Sequence, residues 1–260
     1  MSERSSYAPG TPSWVDLGTP DQDAAEEFYG PLFGWSFDPG ENPEETGGYR
    51  TATLRGRAVG GTMKLMQEGQ PPAWSTYISV EDADATMAAV EANGGNAAIE
   101  PMDVLDIGRM GFFTDPTGAF CGVWQPKTFH GAETVNEPGS LSWNELETRD
   151  PESAKAFYGA VFGWQFEDHD MGPMGTYTEW KLGGGSIGGM ADISGRVPDE
   201  VPAHWMVYFA VEDADAAAEQ IKGSRGAVYF GPTDIPAGRF AMVADPWGAA
   251  FAVIELTEPA

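Results

Sequence analysis

One cysteine, three histidines and fourteen basic residues in a chain of 260 set the first limits on this protein. A lone Cys121 excludes an intramolecular disulfide and a cysteine-based zinc cluster, and it suits a reducing compartment. It lies in AFCGVW, a strand-like apolar run where it reads as a small buried side chain. Forty acidic residues against fourteen basic ones leave a net charge of −26. Such a surface repels phosphate backbones and anionic membranes, so no nucleic-acid partner is expected. The acids are dispersed, in DQDAAEE, EDADA and PDE, which is the pattern of a solvated face and not of an acidic tail. No apolar run approaches the roughly 20 residues of a membrane-spanning helix, and MSERSSYAPGTPS has no apolar stretch of a secretory leader. A cytoplasmic protein without a membrane partner is the expectation. Hydrophobic residues make up 42% of the chain, enough for one large core or two ordinary ones.

What the chain does have is repetition. FYGPLFGW at residues 28–35 returns as FYGAVFGW at 157–164, an offset of 129. DQDAAEEFY matches DPESAKAFY at the same offset, VEDADA returns at an offset of 131, and GRMGFFTDPTGAF returns as GRFAMVADPWGAA at an offset of 130. A nearly constant offset marks the duplication of a whole unit. The copies are read as residues 10–126 and 139–258, with the polar, aperiodic stretch 127–138 as linker.

Each copy divides again. WVDLGT leads through an acidic turn to an Ala-rich segment of helical period, and TYISV leads likewise into EDADATMAAVEANGG. Aspartate at the helix start and glycine at its end are the residues that cap orphan backbone groups. Three short strand candidates follow each helix: WSFD, YRTATLRG and VGGTMKLM, then AAIEPMDVL, GRMGFFTD and AFCGVWQP. The chain thus predicts four β-α-β-β-β units. One unit alone leaves a sheet face uncovered, so the units are expected to pair into two cupped, eight-stranded mixed sheets with helices outside, an α+β fold. The inside of a cup is a natural small-molecule site. Phe28, Tyr29, Phe33 and their repeats should supply the helix face that docks on the sheet, and Trp35 and Trp164 should be core. LGGGSIGGM lacks a following lysine motif and a following helix, so it reads as a tight turn and a bulged strand.

The order strand, D-x-x-x-A-x-x-F-Y, then F-G-W and later D-P-x-G resembles the vicinal oxygen chelate superfamily of glyoxalases, bleomycin-resistance proteins and extradiol dioxygenases. It is most similar to the two-domain glyoxalase-like proteins of actinobacteria. The resemblance implies a small-molecule ligand and, for an enzyme, lyase, isomerase or dioxygenase chemistry. It also implies a divalent metal held from first and last strands. Carried onto this chain, those positions hold Trp14 and Trp143, Gly122 and Ala252, and about Ser75 and Met206. None is a good ligand, so no metal ligand is assigned and no cofactor is expected, a divalent metal being the alternative that the resemblance keeps open.

Function must then rest on other groups. Strand alternation places Trp14 with Asp16, and Trp143 with Glu145, on one face. A carboxylate aimed into an aromatic cup has a raised pKa and can act as a general base or hold a cation; the plainer alternative is a turn cap. Glu179 stands where the first copy has Thr51, and His204 where it has Ala73. Glu145, Glu179 and His204 are therefore the candidate catalytic residues. Trp14, Asp16, Trp143, Tyr77, Tyr208 and Trp205 are the candidate ligand contacts, although Tyr77 and Tyr208, repeated in both copies, also suit packing. His169 falls in EDHDMGPMG, read as a loop. The functional expectation is a protein that binds a small oxygenated or aromatic metabolite in a cupped sheet, with its transformation and its sequestration without chemistry both open. Four units in one chain can pair internally, which accommodates a monomer as well as a homodimer.

Overall fold

The computed structural model describes residues 3–40, 42–65, 69–172 and 175–257. The expected end of the second copy, at 258, lies just outside them. The first unit runs β1 (Pro12–Thr19), α1 (Gln22–Phe33), β2 (Ser36–Asp38), β3 (Arg50–Leu54) and β4 (Arg57–Lys64). The second runs β5 (Ala73–Ser79), α2 (Ala83–Ala92), β6 (Asn96–Val104), β7 (Gly108–Thr114) and β8 (Phe120–Pro126). The third comprises β9 (Leu141–Thr148), α3 (Pro151–Phe162), β10 (Gln165–Asp170), β11 (Thr176–Leu182) and β12 (Gly185–Asp192). The last comprises β13 (His204–Ala210), α4 (Ala214–Gly223), β14 (Ala227–Ile235), β15 (Gly238–Ala244) and β16 (Ala250–Leu256). No described helix is long and apolar enough to cross a membrane.

The caps form as their residue types predict. Asp21, Asp82, Asp150 and Asp213 each precede a helix and accept from a backbone N–H in its first turn. Gly34 and Gly163 end α1 and α3 at φ of 73° and 70°, a left-handed conformation that glycine adopts without a Cβ penalty. Arg109 and Arg239 pair with Asp84 and Asp215 in the first turns of α2 and α4, which ties each helix to its sheet.

Two open sheets result, in the orders β2-β3-β4-β1-β5-β8-β7-β6 and β10-β11-β12-β9-β13-β16-β15-β14. In each, the two first strands of a half pair antiparallel at the centre, β1 with β5 and β9 with β13. Each cup is therefore completed within one chain. The linker is part of this build: Ala132 N donates to Ser13 O at 2.8 Å and Glu133 N donates to Ala58 O at 2.7 Å, filling the gap where β1 and β4 diverge.

Helices lie on the outer faces of both cups, and the two outer faces meet. Phe33 of α1 packs on Phe209 of the other half at 4.9 Å between ring centroids, and Phe157 of α3 packs on Phe113 at 5.8 Å. Tyr29 donates to Asp245 and Tyr158 to Asp115, each crossing to the D-P-x-G turn of the opposite half. Trp35 Nε1 donates to Gly139 O at 2.6 Å, and Trp164 Nε1 to Gly10 O at 2.7 Å. The repeated octapeptides thus form the seam between the halves as well as each helix–sheet core.

Candidate functional site in the second cup

The inner face of each cup carries one tryptophan, two tyrosines and one acid, aspartate in the first and glutamate in the second. In the first, Trp14 Nε1 donates to Tyr49 Oη at 2.8 Å, and the hydroxyls of Tyr49 and Tyr77 donate to Asp16 Oδ2 at 3.3 and 2.8 Å. In the second, Trp143 Nε1 donates to Tyr177 Oη at 2.8 Å, Tyr208 donates to Glu145 Oε1 at 2.9 Å, and Tyr177 also hydrogen-bonds Glu145. Both acids are buried, and burial pushes each up to about 7, against the pull of two phenols. For Glu145 the neighbouring Glu147 adds to the rise. An acid poised near neutrality can gain or lose a proton at neutral pH. Tyr49, just before β3, and Tyr177, on β11, escaped the sequence reading because each lies more than thirty residues from its acid, beyond any local pattern. Their signal was repetition at an offset of 128.

Glycines make room for these tetrads. A Cβ on Gly61 would lie 2.0 Å from Tyr49 Oη, and one on Gly189 would lie 1.9 Å from Tyr177 Oη. The Gly-Gly doublets of β4 and β12 are therefore strand positions cleared for a phenol, while Gly183 and Gly184 form the tight turn before β12.

The cups differ in what covers the tetrad. In the first, Phe129 of the linker packs edge-on against Trp14 at 4.8 Å and against Trp124 at 5.9 Å, and Trp124 Nε1 donates to Phe129 O. Phe112 packs edge-on against Tyr77 at 5.0 Å between ring centroids. At the equivalent positions the second cup has Ile254 and Met242, and no described residue answers to Phe129. Trp14 is buried whereas Trp143 is only half-buried. Both acids are buried, but the rings around them differ: in the second cup Phe240 packs 6.0 Å from Tyr208, and among the described residues no aromatic ring packs against Trp143 as Phe129 packs against Trp14.

The second cup also gains polar groups. Glu147 follows Glu145 on the same face of β9 and pairs in register with His204 on β13, His204 Nε2 lying 3.6 Å from Glu147 Oε2. The equivalent pair in the first cup is Gly18 and Ala73. Period-two alternation in W-N-E-L-E marks Glu147 as plainly as Glu145, and the sequence reading passed over it.

Three expectations change. Trp205 alternates with His204 and Met206, so it faces the helices, where its Nε1 donates to Tyr158 at 3.0 Å; it does not line the cup. Glu179 shares the inner face but sits toward the edge, bound to Lys181 Nζ at 2.8 Å and to His169 Nε2 at 3.2 Å, apart from Glu145 and His204. His169 is on β10 and not in a loop, because the strand continues to Asp170 opposite Thr176.

The positions where the resemblance puts a metal do not fit one. Trp14 and Trp143 use their indole N–H on a phenol. Ser75 and Met206 lie opposite Asp16 and Glu145 in register, and Gly122 and Ala252 lie beside Tyr77 and Tyr208. At Gly122 the ring of Tyr77 fills the space a ligating side chain would use, 2.6 Å from a built Cβ. One donor cluster does converge elsewhere among the described residues, Glu167, His169 and Glu179, and the Lys181 ammonium already supplies its positive charge. An open groove of about 620 Å³ runs between α2 and α3, lined by Asp82, Ala85, Ala89, Val161 and Phe162, outside both cups.

The sequence profile of the glyoxalase/bleomycin resistance protein/dioxygenase superfamily matches residues 11–120 and again 140–253. The chain belongs to that superfamily. A Mycobacterium bovis protein named "Putative glyoxylase CFP32" is 46% identical over 259 residues, covering 98% of each chain. The anthracycline biosynthesis protein DnrV of Streptomyces peucetius is 38% identical, covering 97% of this chain and 95% of its own. Among solved structures, the Mn(II)-bound glyoxalase from Novosphingobium aromaticivorans superposes with a TM-score of 0.65 at 18% identity, over all of this chain and 87% of that one. At that identity the likeness speaks for the fold alone.

Proposed function

We propose that the second cup binds a small carbonyl or hydroxylated aromatic metabolite and that Glu145 moves a proton on it. One observation carries the reading. Both cups hold a buried acid beside two phenols, but in the second the tryptophan is only half-buried, no described ring covers it as Phe129 covers Trp14, and Glu147 and His204 are added. The names of the relatives, one for glyoxylase chemistry and one for anthracycline biosynthesis, agree with small carbonyl and aromatic substrates.

In this reading Tyr177 and Tyr208 hold the Glu145 carboxylate in place, and Trp143 fixes Tyr177 by donating to its oxygen. With its acid near 7, Glu145 is partly ionised at neutral pH. It can accept a proton from a C–H beside a carbonyl, or from a hydroxyl, and return it to a neighbouring atom. Trp143 and Phe240 supply apolar walls. No step is routed through a metal, because the superfamily's ligand positions hold no donors suited to one.

Turnover of methylglyoxal–thiol hemithioacetals and of catechols, with binding followed by tryptophan fluorescence, tests the proposal. Glu145→Gln should keep affinity within about threefold and lose at least roughly 100-fold in turnover, the usual scale of a general base. The wild-type rate should rise with pH through about 7, as Glu145 ionises. Metal analysis should find well under one equivalent of Mn, Fe, Ni or Zn. A stoichiometric metal that is needed for turnover would overturn the proton-transfer reading. Binding without turnover in the wild type would favour sequestration, a role that the aromatic walls also suit.

A further inference from the structure

Glu147 and His204 stand on the wall of the second cup without a part in the tetrad. Their partners in the first cup are Gly18 and Ala73, and Leu65 covers the spot, its Cδ2 lying 3.1 Å from a Cβ built on Gly18. The pair is therefore no requirement of the fold. His204 Nδ1 lies 2.9 Å from Pro202 O. A carbonyl can only accept, so Nδ1 carries the proton and Nε2 of the neutral ring turns a lone pair toward Glu147. A lone pair facing an ionised carboxylate repels, and one proton between them removes the conflict.

Burial acts in the same direction, raising Glu147 and lowering His204. The other carboxyl oxygen, Glu147 Oε1, is buried and without a hydrogen-bond partner, on a side chain only 5% exposed. The charged groups facing the pair are Glu145, Arg149 and Arg196. Glu145 is held by its two phenols. Arg149 donates to the carbonyls of Val201 and Pro198, and the exposed Arg196 donates to Asp192 O. Neither arginine satisfies Glu147 Oε1.

We propose that Glu147 and His204 share one proton, and that Glu147 Oε1 accepts a hydrogen bond from a neutral hydroxyl of the bound ligand. The pair is neutral wherever the proton sits, so a hydroxyl completes it, whereas an ammonium would add a charge that the pair does not balance. The hydroxyl half of the inference rests on the second cup being the ligand site; the shared proton does not.

The full-length ¹⁵N-labelled protein has only three histidines, so His204→Gln assigns the imidazole signals. The wild type should show the Nδ1–H tautomer, and Glu147→Gln should lower the His204 midpoint by about one pH unit or more, the effect of losing an adjacent carboxylate. An Nε2–H tautomer in the wild type, or an unmoved midpoint in E147Q, overturns the shared proton. Catechol, the hydroxyl probe, should shift both the Trp143 indole and the His204 ring, and Glu147→Ala, which removes the accepting oxygen that glutamine would keep, should weaken it roughly tenfold. Equal catechol affinity in both proteins removes Glu147 as the recognition group while leaving the proposed function standing. Catechol that leaves the wild-type Trp143 signal unmoved removes both. Benzylamine binding more tightly than catechol overturns the preference for a neutral donor.

Discussion

Asp16 and Glu145 are buried carboxyls whose acidity is moved to about 7 from ordinary values of 3.8 and 4.5. A raised folded pKa means that the folded chain binds the proton more tightly than the unfolded one. These two acids therefore favour folding below about pH 4 and cost stability progressively as pH rises from there through about 7. Groups lowered by ion pairs, such as Asp84, Asp168 and Asp215, act in the opposite sense at more acid pH. At 1.36 kcal/mol per unit, the loss at Asp16 is on the order of a few kcal/mol. Asp16→Asn removes the titrating group from a sealed cup that the proposed chemistry does not use. Urea denaturation at pH 5 and pH 8 should show a smaller loss at pH 8 in D16N than in the wild type, and equal losses would contradict a buried acid.

At the scale of the element, the inner strands are built around phenols that cross their neighbours. β12 has glycine at 189 because Tyr177 of β11 lays its hydroxyl over that position, and β4 repeats the device at Gly61. Neither glycine has a positive φ among the described residues, so the need is for space and not for backbone freedom. Gly189→Ala would drive a methyl to 1.9 Å from Tyr177 Oη and 2.9 Å from Trp143 Nε1. Overpacking of this kind costs about 1–3 kcal/mol, read as a lower urea midpoint, and it should also loosen the Trp143–Tyr177 hydrogen bond and blue-shift or broaden tryptophan emission. β10 shows the converse. A mostly exposed stretch with three acids, QFEDHD, extends as an edge strand because β11 offers it a full ladder of partners, which composition does not reveal.

Across the whole molecule, the two halves share one core. Tyr29 and Tyr158 are fully buried, and each ties its helix to the opposite half's aspartate while accepting an indole N–H from its own sheet. Thr76 Oγ1 and Asn144 Oδ1, 2.8 Å apart, join the sheets directly at the centre. The halves should therefore unfold together in one transition. Tyr158→Phe leaves Asp115 Oδ2 and Trp205 Nε1 without their partner and should lower stability by about 1–3 kcal/mol without splitting that transition. Tryptophan fluorescence and circular dichroism that trace separate midpoints would show that the halves are independent.

Local pattern and repetition were enough to determine the four units, their caps, the pairing into two cups, and the inward aim of Trp14, Asp16, Trp143 and Glu145, because periodicity and capping act between residues close in the chain. Glu147 obeyed the same rule and was legible. Three features were decided only by tertiary structure. They are the phenols of Tyr49 and Tyr177 over the acids, the linker phenylalanine that stops the first cup, and the seam that turns the octapeptides toward the other half. Each depends on which surfaces meet across more than thirty residues of chain, and spacing alone carries no record of that.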